Sequence, residues 1–331
     1  MDLKVNPIDA DVIPAQSRAD YHRRSLLGLW RRAVRHPATR HQFPAGATQP
    51  TLTNIRSAWE TVGVRDIYDH LEHLNSSVLP AAGRSCPGSD VILSTEGTAR
   101  MTRILIGTHE EMLYNACFEG KAYHLSGITS EDRVLVLGGS GIWQADYCNF
   151  YALSRAACTI IPVRDYRRGG EIDEIMRSLR ATAILGYLGA LLPLLSYLEL
   201  RDLTYAGITH IVQGREFLSR QLRSRLVRRF GEGLSFHPVF QTPDHGAVGF
   251  QCPSCGPGEY HLHEGLIYVE LIPRDDDSAT ELVISNLHRS RMPVVRLRTG
   301  DYAEWADPKG CCPCGLTSRK IRILDRTGDD A

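Results

Sequence analysis

From about residue 90 the chain alternates short apolar runs with longer amphipathic stretches, and this rhythm restricts its fold more than any other feature. Residues 91–94, 133–137 (RVLVL), 159–163 (TIIPV), 183–185, 209–212 and 236–240 have the length and apolar content of strands. Residues 109–124, 143–157 and 172–181 repeat their apolar positions at helical spacing. Strand, helix and strand in succession make βαβ units, whose strands pair in parallel, so the expected body is α/β with a largely parallel sheet. After about residue 250 the runs crowd together, and 266–272, 281–285, 294–298 and 320–324 predict an antiparallel sheet or a small barrel. Ahead of both, 21–34 (YHRRSLLGLWRRAV) gathers Leu26, Leu27, Leu29, Trp30 and Val34 on one helical face; 43–53 is a loop by its Pro and Gly content, and 57–74 is helical. A basic amphipathic helix can meet a membrane or a partner, but packing on its own domain with arginines in solvent is the simpler expectation. The expected division is 1–85, a helical N-terminal segment of the large domain; 86–249, the α/β body; and 250–325, a β-rich subdomain.

Composition narrows the function classes. With 38 Lys+Arg against 38 Asp+Glu the formal net charge is zero, so no general field draws the chain to nucleic acid or to an anionic membrane. No window approaches the ~18 apolar residues of a membrane span, and residues 1–16 carry charges where a secretory signal needs an apolar core. The expected compartment is the cytoplasm, where thiols stay reduced. The nine cysteines then matter by position rather than as a disulfide framework.

Five of them fall into two knuckles, C-P-S-C at 252–255 and C-C-P-C-G at 311–315. Zinc takes four nitrogen or sulfur ligands in a tetrahedron, and two Cys turns brought together by a β subdomain supply them; His261 and His263 widen the choice. Unrelated thiols are the alternative. Two further segments carry polar chemistry. S-T-E-G-T-A-R at 94–100 follows an apolar run, and backbone N–H groups and hydroxyls in such a loop can cradle phosphate, although it lacks the G-x-x-x-x-G-K-S/T form. V-V-R-L-R-T-G-D at 294–301 ends in Asp301, which either accepts hydrogen bonds from a ribose diol or closes a Gly-Asp turn.

Taken in order, these segments resemble the AMP-forming adenylating (ANL) superfamily, in particular its phenylacetate–CoA ligase branch. The resemblance is collinear over most of the chain. Residues 29–43 are similar to the branch's N-terminal helical entry, 130–143 to the strand before its acyl pocket, Q-G-R-E at 213–216 to its adenine turn, and 281–301 (ELVISNLHRSRMPVVRLRTGD) to the stretch ending in its ribose-binding Asp. The resemblance implies the family's large N-terminal domain. It implies phosphate contacts from Thr95, Gly97 and Thr98, an adenine site at Gly214, Arg215, Glu216 and Phe240, and ribose or phosphate contacts from Asp301 and Arg326. Trp143, Tyr147 and Tyr187 are the candidate acyl-pocket residues, although aromatics at such spacings are commonly core. Asp244 replaces the family's Mg²⁺-binding Glu. His245 beside it is the best-placed candidate base, ahead of His124 and His237, with a surface position as its simpler reading. The resemblance also implies a structural zinc held by Cys252, His261, Cys312 and Cys314, with Cys255 as the alternative to His261. Distant relatives pass the acyl group through a thiol, which makes Cys148 and Cys158 candidates.

The chain also departs from the family. T-E-G-T-A-R-M-T at 95–102 stands where the family has T-S-G-T-T-G-K-P, losing the second Gly, the Lys and the Pro, and Glu96 would set a carboxylate against phosphate oxygens. F-Q-T-P-D at 240–244 stands for aromatic-G-x-T-E, with Pro243 where the family has a Thr hydroxyl. Residues 326–331 fall about where the family's hinge begins, and the small lid domain that brings the adenylation Lys is expected to be absent. The expected function is a ligase-like protein that activates or transfers a carboxylic acid, aryl acids included, via acyl-AMP to CoA, a carrier thiol or an amine, with altered ATP chemistry. The alternative is a zinc-stabilised, non-catalytic partner of a biosynthetic enzyme. Expected ligands are zinc, ATP or AMP with Mg²⁺, and CoA or a carrier thiol. Expected partners are the acid and a carrier protein or second copy of the chain, without nucleic acid or membrane.

Overall fold

One eleven-stranded sheet runs through the protein in the computed structural model, which describes residues 13–73, 90–95, 103–138, 144–163, 165–214, 218–273, 280–306 and 312–326. The chain order is α1 (Ala15–Ala33), α2 (Ile55–Glu60), α3 (Ile67–His73), β1 (Asp90–Thr95), β2 (Arg103–Thr108), α4 (His109–Leu125), β3 (Arg133–Leu137), α5 (Gln144–Arg155) and β4 (Thr159–Pro162). It continues with α6 (Gly169–Ser178), β5 (Ala183–Gly186), α7 (Leu188–Leu200), β6 (His210–Gly214), α8 (Arg220–Phe230), β7 (Ser235–Thr242) and β8 (Gly246–Phe250). The last strands are β9 (Glu259–Leu262), β10 (Ile267–Pro273), β11 (Thr280–Asn286), β12 (Leu297–Ala306) and β13 (Lys320–Arg326). Across the sheet β4, β3, β5, β6 and β7 are parallel neighbours, and from β7 the direction alternates through β8, β9, β13, β12, β11 and β10. The parallel body and the antiparallel C-terminal strands are thus both present, joined edge to edge in one sheet rather than closed into a barrel.

The parallel strands are apolar on both faces because helices cover both. Leu135, Leu137, Ile184 and Ile211 pack with residues of α6, α7 and α8, while the alternate Val134, Val136, Leu185 and Val212 pack with α4 and α5. Helix α4 begins with a full capping box, Thr108 Oγ1 accepting the Glu111 N–H at 3.2 Å and Glu111 Oε2 accepting the Thr108 N–H at 3.1 Å. It approaches α5 closely at Gly120, where a Cβ would fall 2.6 Å from the Ala152 carbonyl oxygen. The amphipathic α1 is buried on its own chain: Leu26, Leu29 and Trp30 pack with Trp59, Leu287 and Val295, and Arg18 pairs with Glu264 at 2.7 Å.

Three expectations are corrected. Residues 57–73 are not one helix: 57–60 belong to α2 and 67–73 form α3, with a break between them where the Gly63 N–H donates to the Gln42 carbonyl at 2.7 Å, and residue 74 lies outside the described residues. Of residues 294–298 only Leu297 and Arg298 are strand; β12 starts at Leu297, because Arg296 takes a left-handed φ of 41°. Its guanidinium there donates to the Val62 and Glu60 carbonyls and pairs with Glu270 at 3.1 Å. Finally, 91–94 does not join the parallel series: it lies in β1, which pairs antiparallel with β2 in a separate two-stranded sheet. Among the described residues no helix is long and apolar enough to cross a membrane.

Candidate functional site

Strands β6 and β7 end side by side, Gly214 opposite Val239, and a bulge after Phe240 leads into a tight turn that returns as β8. Thr242 closes this turn: its Oγ1 accepts the His245 N–H at 3.1 Å and lies 2.7 Å from His245 Nδ1. Gly246 follows at φ +79°, where a Cβ would fall 2.1 Å from Asn115 Oδ1. The missing side chain lets Asn115 of α4 accept the Ala247 N–H at 2.8 Å. Asp244 and His245 are therefore brought together, but inside the protein, 2% and 1% exposed, which corrects the surface reading of His245. Burial, opposed by Asp244, pushes the His245 imidazole down to about 4, so it is neutral at pH 7. Its Nε2 has no hydrogen-bond partner among the described residues.

Asn286, at the end of β11, secures the turn from the other side. Its Nδ2 donates to the His245 carbonyl at 2.7 Å, and its Oδ1 accepts the His288 and Arg289 N–H groups, each at 2.9 Å. The Arg289 guanidinium is buried, donates to the Pro243 carbonyl at 3.1 Å, and lies in the field of Asp244, Glu111 and Cys148. A divalent cation at Asp244 would meet that positive charge, and Pro243 offers no hydroxyl. The described residues do not fit Mg²⁺, so no step through it is derived. On α4, Asn115 Nδ2 donates to Glu119 Oε1 at 2.7 Å. Burial raises Glu119 to about 7 against that hydrogen bond, and burial then Glu119 push the Cys148 thiol well above its usual range. A thiol so placed is the opposite of an activated nucleophile. Cys158 is also raised by burial and donates to the Leu153 carbonyl at 3.5 Å.

The candidate nucleotide residues Gly214, Phe240 and Asp301 stand on β6, β7 and β12. The half-buried Phe240 ring is 5.6 Å from Tyr260 of β9. Burial raises the Tyr260 hydroxyl pKa, opposed by the charge of Arg223 and reinforced by the field of Asp301. Asp301 is buried in β12, its N–H donating to Thr299 Oγ1 at 3.1 Å, with Arg326 opposite it in the β12–β13 register. At Gly214 a Cβ would lie 3.6 Å from Val239 and 3.7 Å from Gln241 Oε1, an ordinary contact. Gly97, Thr98, Trp143, Arg215 and Glu216 lie outside the described residues, as do the side chains of Thr95 and Arg326. Tyr147 and Tyr187 are not brought together. Tyr147 Oη is 2.9 Å from His109 Nδ1 and its ring packs with the cluster containing Val91, Met112 and Cys148, whereas Tyr187 packs on Tyr166, 5.7 Å away, in the cluster under α6 to α8. His124 is exposed, and buried His237 shares a 3.1 Å contact with His210.

The two cysteine knuckles do meet. Each is a turn closed by its own backbone, the Cys255 N–H on the Cys252 carbonyl at 3.0 Å and the Gly315 N–H on the Cys312 carbonyl at 2.9 Å. The ligand atoms of Cys252, His261, Cys312 and Cys314 all lie within 4.8 Å of one another. Cys252 Sγ is 3.5 Å from Cys312 Sγ, and Cys314 Sγ is 3.5 Å from His261 Nε2. Sulfurs about 2.3 Å from a tetrahedral zinc stand about 3.8 Å apart, so these residues fit the metal. His261 Nδ1 lies 3.1 Å from Ser318 Oγ, an orientation that leaves Nε2 for the cluster. Burial pushes this imidazole down to about 4, in the neutral form a ligand needs. Cys255 Sγ approaches Cys252 Sγ to 3.6 Å but is outside the mutual group, and His263 packs on Phe118 and Phe250 instead.

No protein-family model matches the chain. The phenylacetate-coenzyme A ligase of Escherichia coli (strain K12) is 22% identical over 248 residues, 71% of this chain and 54% of that protein, so the chain spans about half the length of this relative. Two structures of 2-hydroxyisobutyryl-CoA ligase, one open and one in the thioesterification state, each with 2-HIB-AMP and CoA, have TM-scores of 0.80 and 0.82 at 16% identity. They cover 97% of this chain and are themselves covered to 77% and 70%. The chain has the fold of the AMP-forming adenylating superfamily. A long-chain-fatty-acid-CoA ligase from Archaeoglobus fulgidus shares the adenylating fold more loosely, with a TM-score of 0.52 at 15% identity over 71% of this chain and 51% of its own.

Within this adenylating fold, four polar residues of the buried site were missed by reasoning from the sequence: Asn115, Glu119, Asn286 and Arg289. One signal was available. Asn115 and Glu119 are four apart in a helix whose other inward positions, Met112, Ala116, Phe118 and Ala122, are apolar. Asn286 and Arg289 lie in a polar stretch with no such contrast.

Proposed function

We propose that the chain activates or transfers a carboxylic acid by way of an acyl adenylate, with CoA or another thiol as acceptor. The observation that carries this reading is the placement of Phe240, Tyr260 and Asp301 on β7, β9 and β12, alternate strands of one sheet in an adenylating fold. The relatives with that fold bind 2-HIB-AMP and CoA. In this reading Asp301 accepts hydrogen bonds from the ribose hydroxyls and Phe240 offers a flat wall to the adenine beside Gly214, with Arg215 and Glu216 following in the chain. Thr95, Gly97, Thr98 and Arg326 meet the phosphates. The acid's carboxylate attacks the α-phosphorus of ATP, the bond to the bridging oxygen breaks, and pyrophosphate leaves. The acid lies near Trp143 and Tyr147, with Tyr187 a further candidate wall. Asp244 and His245 shape the turn from within. Zinc at Cys252, His261, Cys312 and Cys314 would cross-link two loops, and with all four positions taken by protein it would supply no chemistry.

A second reading, a non-catalytic partner of a biosynthetic enzyme, is favoured by one observation: Arg289 occupies the neighbourhood of Asp244 that a catalytic cation needs. Calorimetric titration of AMP and of ATP with Mg²⁺ separates the two. Nucleotide binding that Asp301→Ala weakens at least tenfold, with pyrophosphate release on adding aryl and short-chain acids, supports the enzyme. Absence of binding to the zinc-loaded protein, or affinity unchanged in Asp301→Ala, overturns it.

A further inference from the structure

Between the C-terminal half of α1 and the segment 40–49 lies an open groove of about 560 Å³, lined by Trp30, Arg31, Arg35, Arg40, Phe43 and Gln49 among others. That volume falls within the range of small-molecule sites. Among the described residues no carboxylate lines it. Arg31, Arg35 and Arg40 are exposed and form no ion pair among the described residues. Three arginines of α1 are paired, Arg18 with Glu264 and both Arg23 and Arg24 with Asp20, whereas Arg31 of α1 and Arg35 and Arg40 beyond its end have no such partner among the described residues. Gln49, with its amide turned to face Arg31, accepts from Arg31 Nε at 2.9 Å and from Nη2 at 3.0 Å. A neutral partner holds this guanidinium in place without cancelling its charge.

The opposite wall is aromatic. Trp30 and Phe43 pack edge to face, 4.9 Å between centroids. Trp30 is 3% exposed, yet its indole N–H has no hydrogen-bond partner among the described residues. Buried N–H groups are ordinarily satisfied. Three guanidiniums lining one groove offer many more donors than the two oxygens of a carboxylate can accept, whereas the three terminal oxygens of a phosphate monoester can engage all three.

We propose that this groove binds a small phosphorylated ligand of the nucleotide class, its phosphate between Arg31, Arg35 and Arg40 and its flat base against the wall of Phe43, Pro44 and Trp30. The site is distinct from the Phe240–Asp301 group and does not depend on the adenylating reading. The probe is adenosine 3′,5′-bisphosphate, titrated calorimetrically into the full chain at low salt, with the ¹⁵N-labelled Trp30 indole resonance followed in parallel. Saturable one-site binding is expected, with a shift of the Trp30 indole signal and affinity falling as salt rises. Arg35→Gln and Arg40→Gln should each weaken it about tenfold and leave the melting temperature unchanged, since both side chains are exposed. Asp301→Ala should leave it intact. Binding that survives in the Arg35→Gln/Arg40→Gln double variant, that disappears in Asp301→Ala, or that is undetectable overturns the proposal. Competition by an equal concentration of benzoate overturns the phosphate assignment.

Discussion

Glu119 sits with one carboxylate oxygen on the Asn115 amide and the other, Oε2, buried without a hydrogen-bond partner among the described residues. Burial moves its pKa from the model-peptide 4.5 to about 7. The unfolded chain therefore gives up this proton first. Between about pH 4.5 and pH 7 the folded state holds more protons than the unfolded state, so stability falls as pH rises, by about 3 kcal/mol in all, and is then level. Glu119→Gln keeps the acceptor for Asn115 and removes the charge. The difference in unfolding free energy between Glu119→Gln and the unaltered chain, measured in urea, should grow in the variant's favour from pH 5 to pH 8; a constant difference would contradict the placement of the carboxyl. Residues of this kind are hard to read from sequence. A lone Glu in a helix is normally solvated, and only the fold decides that its face is inward. The cysteines were readable because zinc geometry demands several ligands of few types at short spacings, and the group found holds the expected Cys252, His261, Cys312 and Cys314.

At the scale of elements, legibility followed the strength of local patterning. The parallel strands were plain because β3, β5 and β6 are buried on both faces and read as unbroken apolar runs. The start of β12 was not, because the run at 294–298 is apolar enough for a strand while Arg296 is held out of extended geometry by carbonyls of the distant 60–62 segment. Likewise β2 was missed although R-I-L-I-G at 103–107 is a short apolar run; among the described residues it pairs with β1 alone, outside the eleven-stranded sheet. Helix α4 is where local and tertiary terms coincide. Thr108→Ala removes one cap bond and should cost about 1 kcal/mol. Glu111→Ala should cost more, because Glu111 Oε1 also accepts the Ser290 N–H at 2.7 Å, its hydroxyl at 2.6 Å and the Arg291 N–H at 3.0 Å. Equal losses in chemical denaturation would show that the Ser290 contacts contribute nothing. Gly120→Ala should destabilise by about 1–3 kcal/mol, since α4 and α5 must separate to admit the methyl group; a neutral result would mean that the helices lie further apart.

Across the whole molecule, the cysteine cluster ties together what the sheet order separates in sequence. The first knuckle lies between β8 and β9, the second between β12 and β13, and β13 inserts beside β9, with Lys320 opposite His261. Cys252 and Cys312, sixty positions apart, are thereby in contact. A metal here closes a long loop of the unfolded chain and satisfies three thiol groups crowded together. Its binding energy is then folding energy, about 4 kcal/mol at a thousandfold excess of zinc over its dissociation constant. The protein purified without chelator should carry one zinc per chain by elemental analysis, and stripping it should lower the melting temperature by about 5–10 °C. Cys252→Ser and Cys312→Ser should lose the metal. Cys255→Ser should keep both zinc and melting temperature, because its sulfur touches Cys252 but lies outside the four-atom group. If Cys255→Ser lost the metal while His261→Ala retained it, the fourth ligand would be Cys255. His261 would then be a buried core histidine held by Ser318.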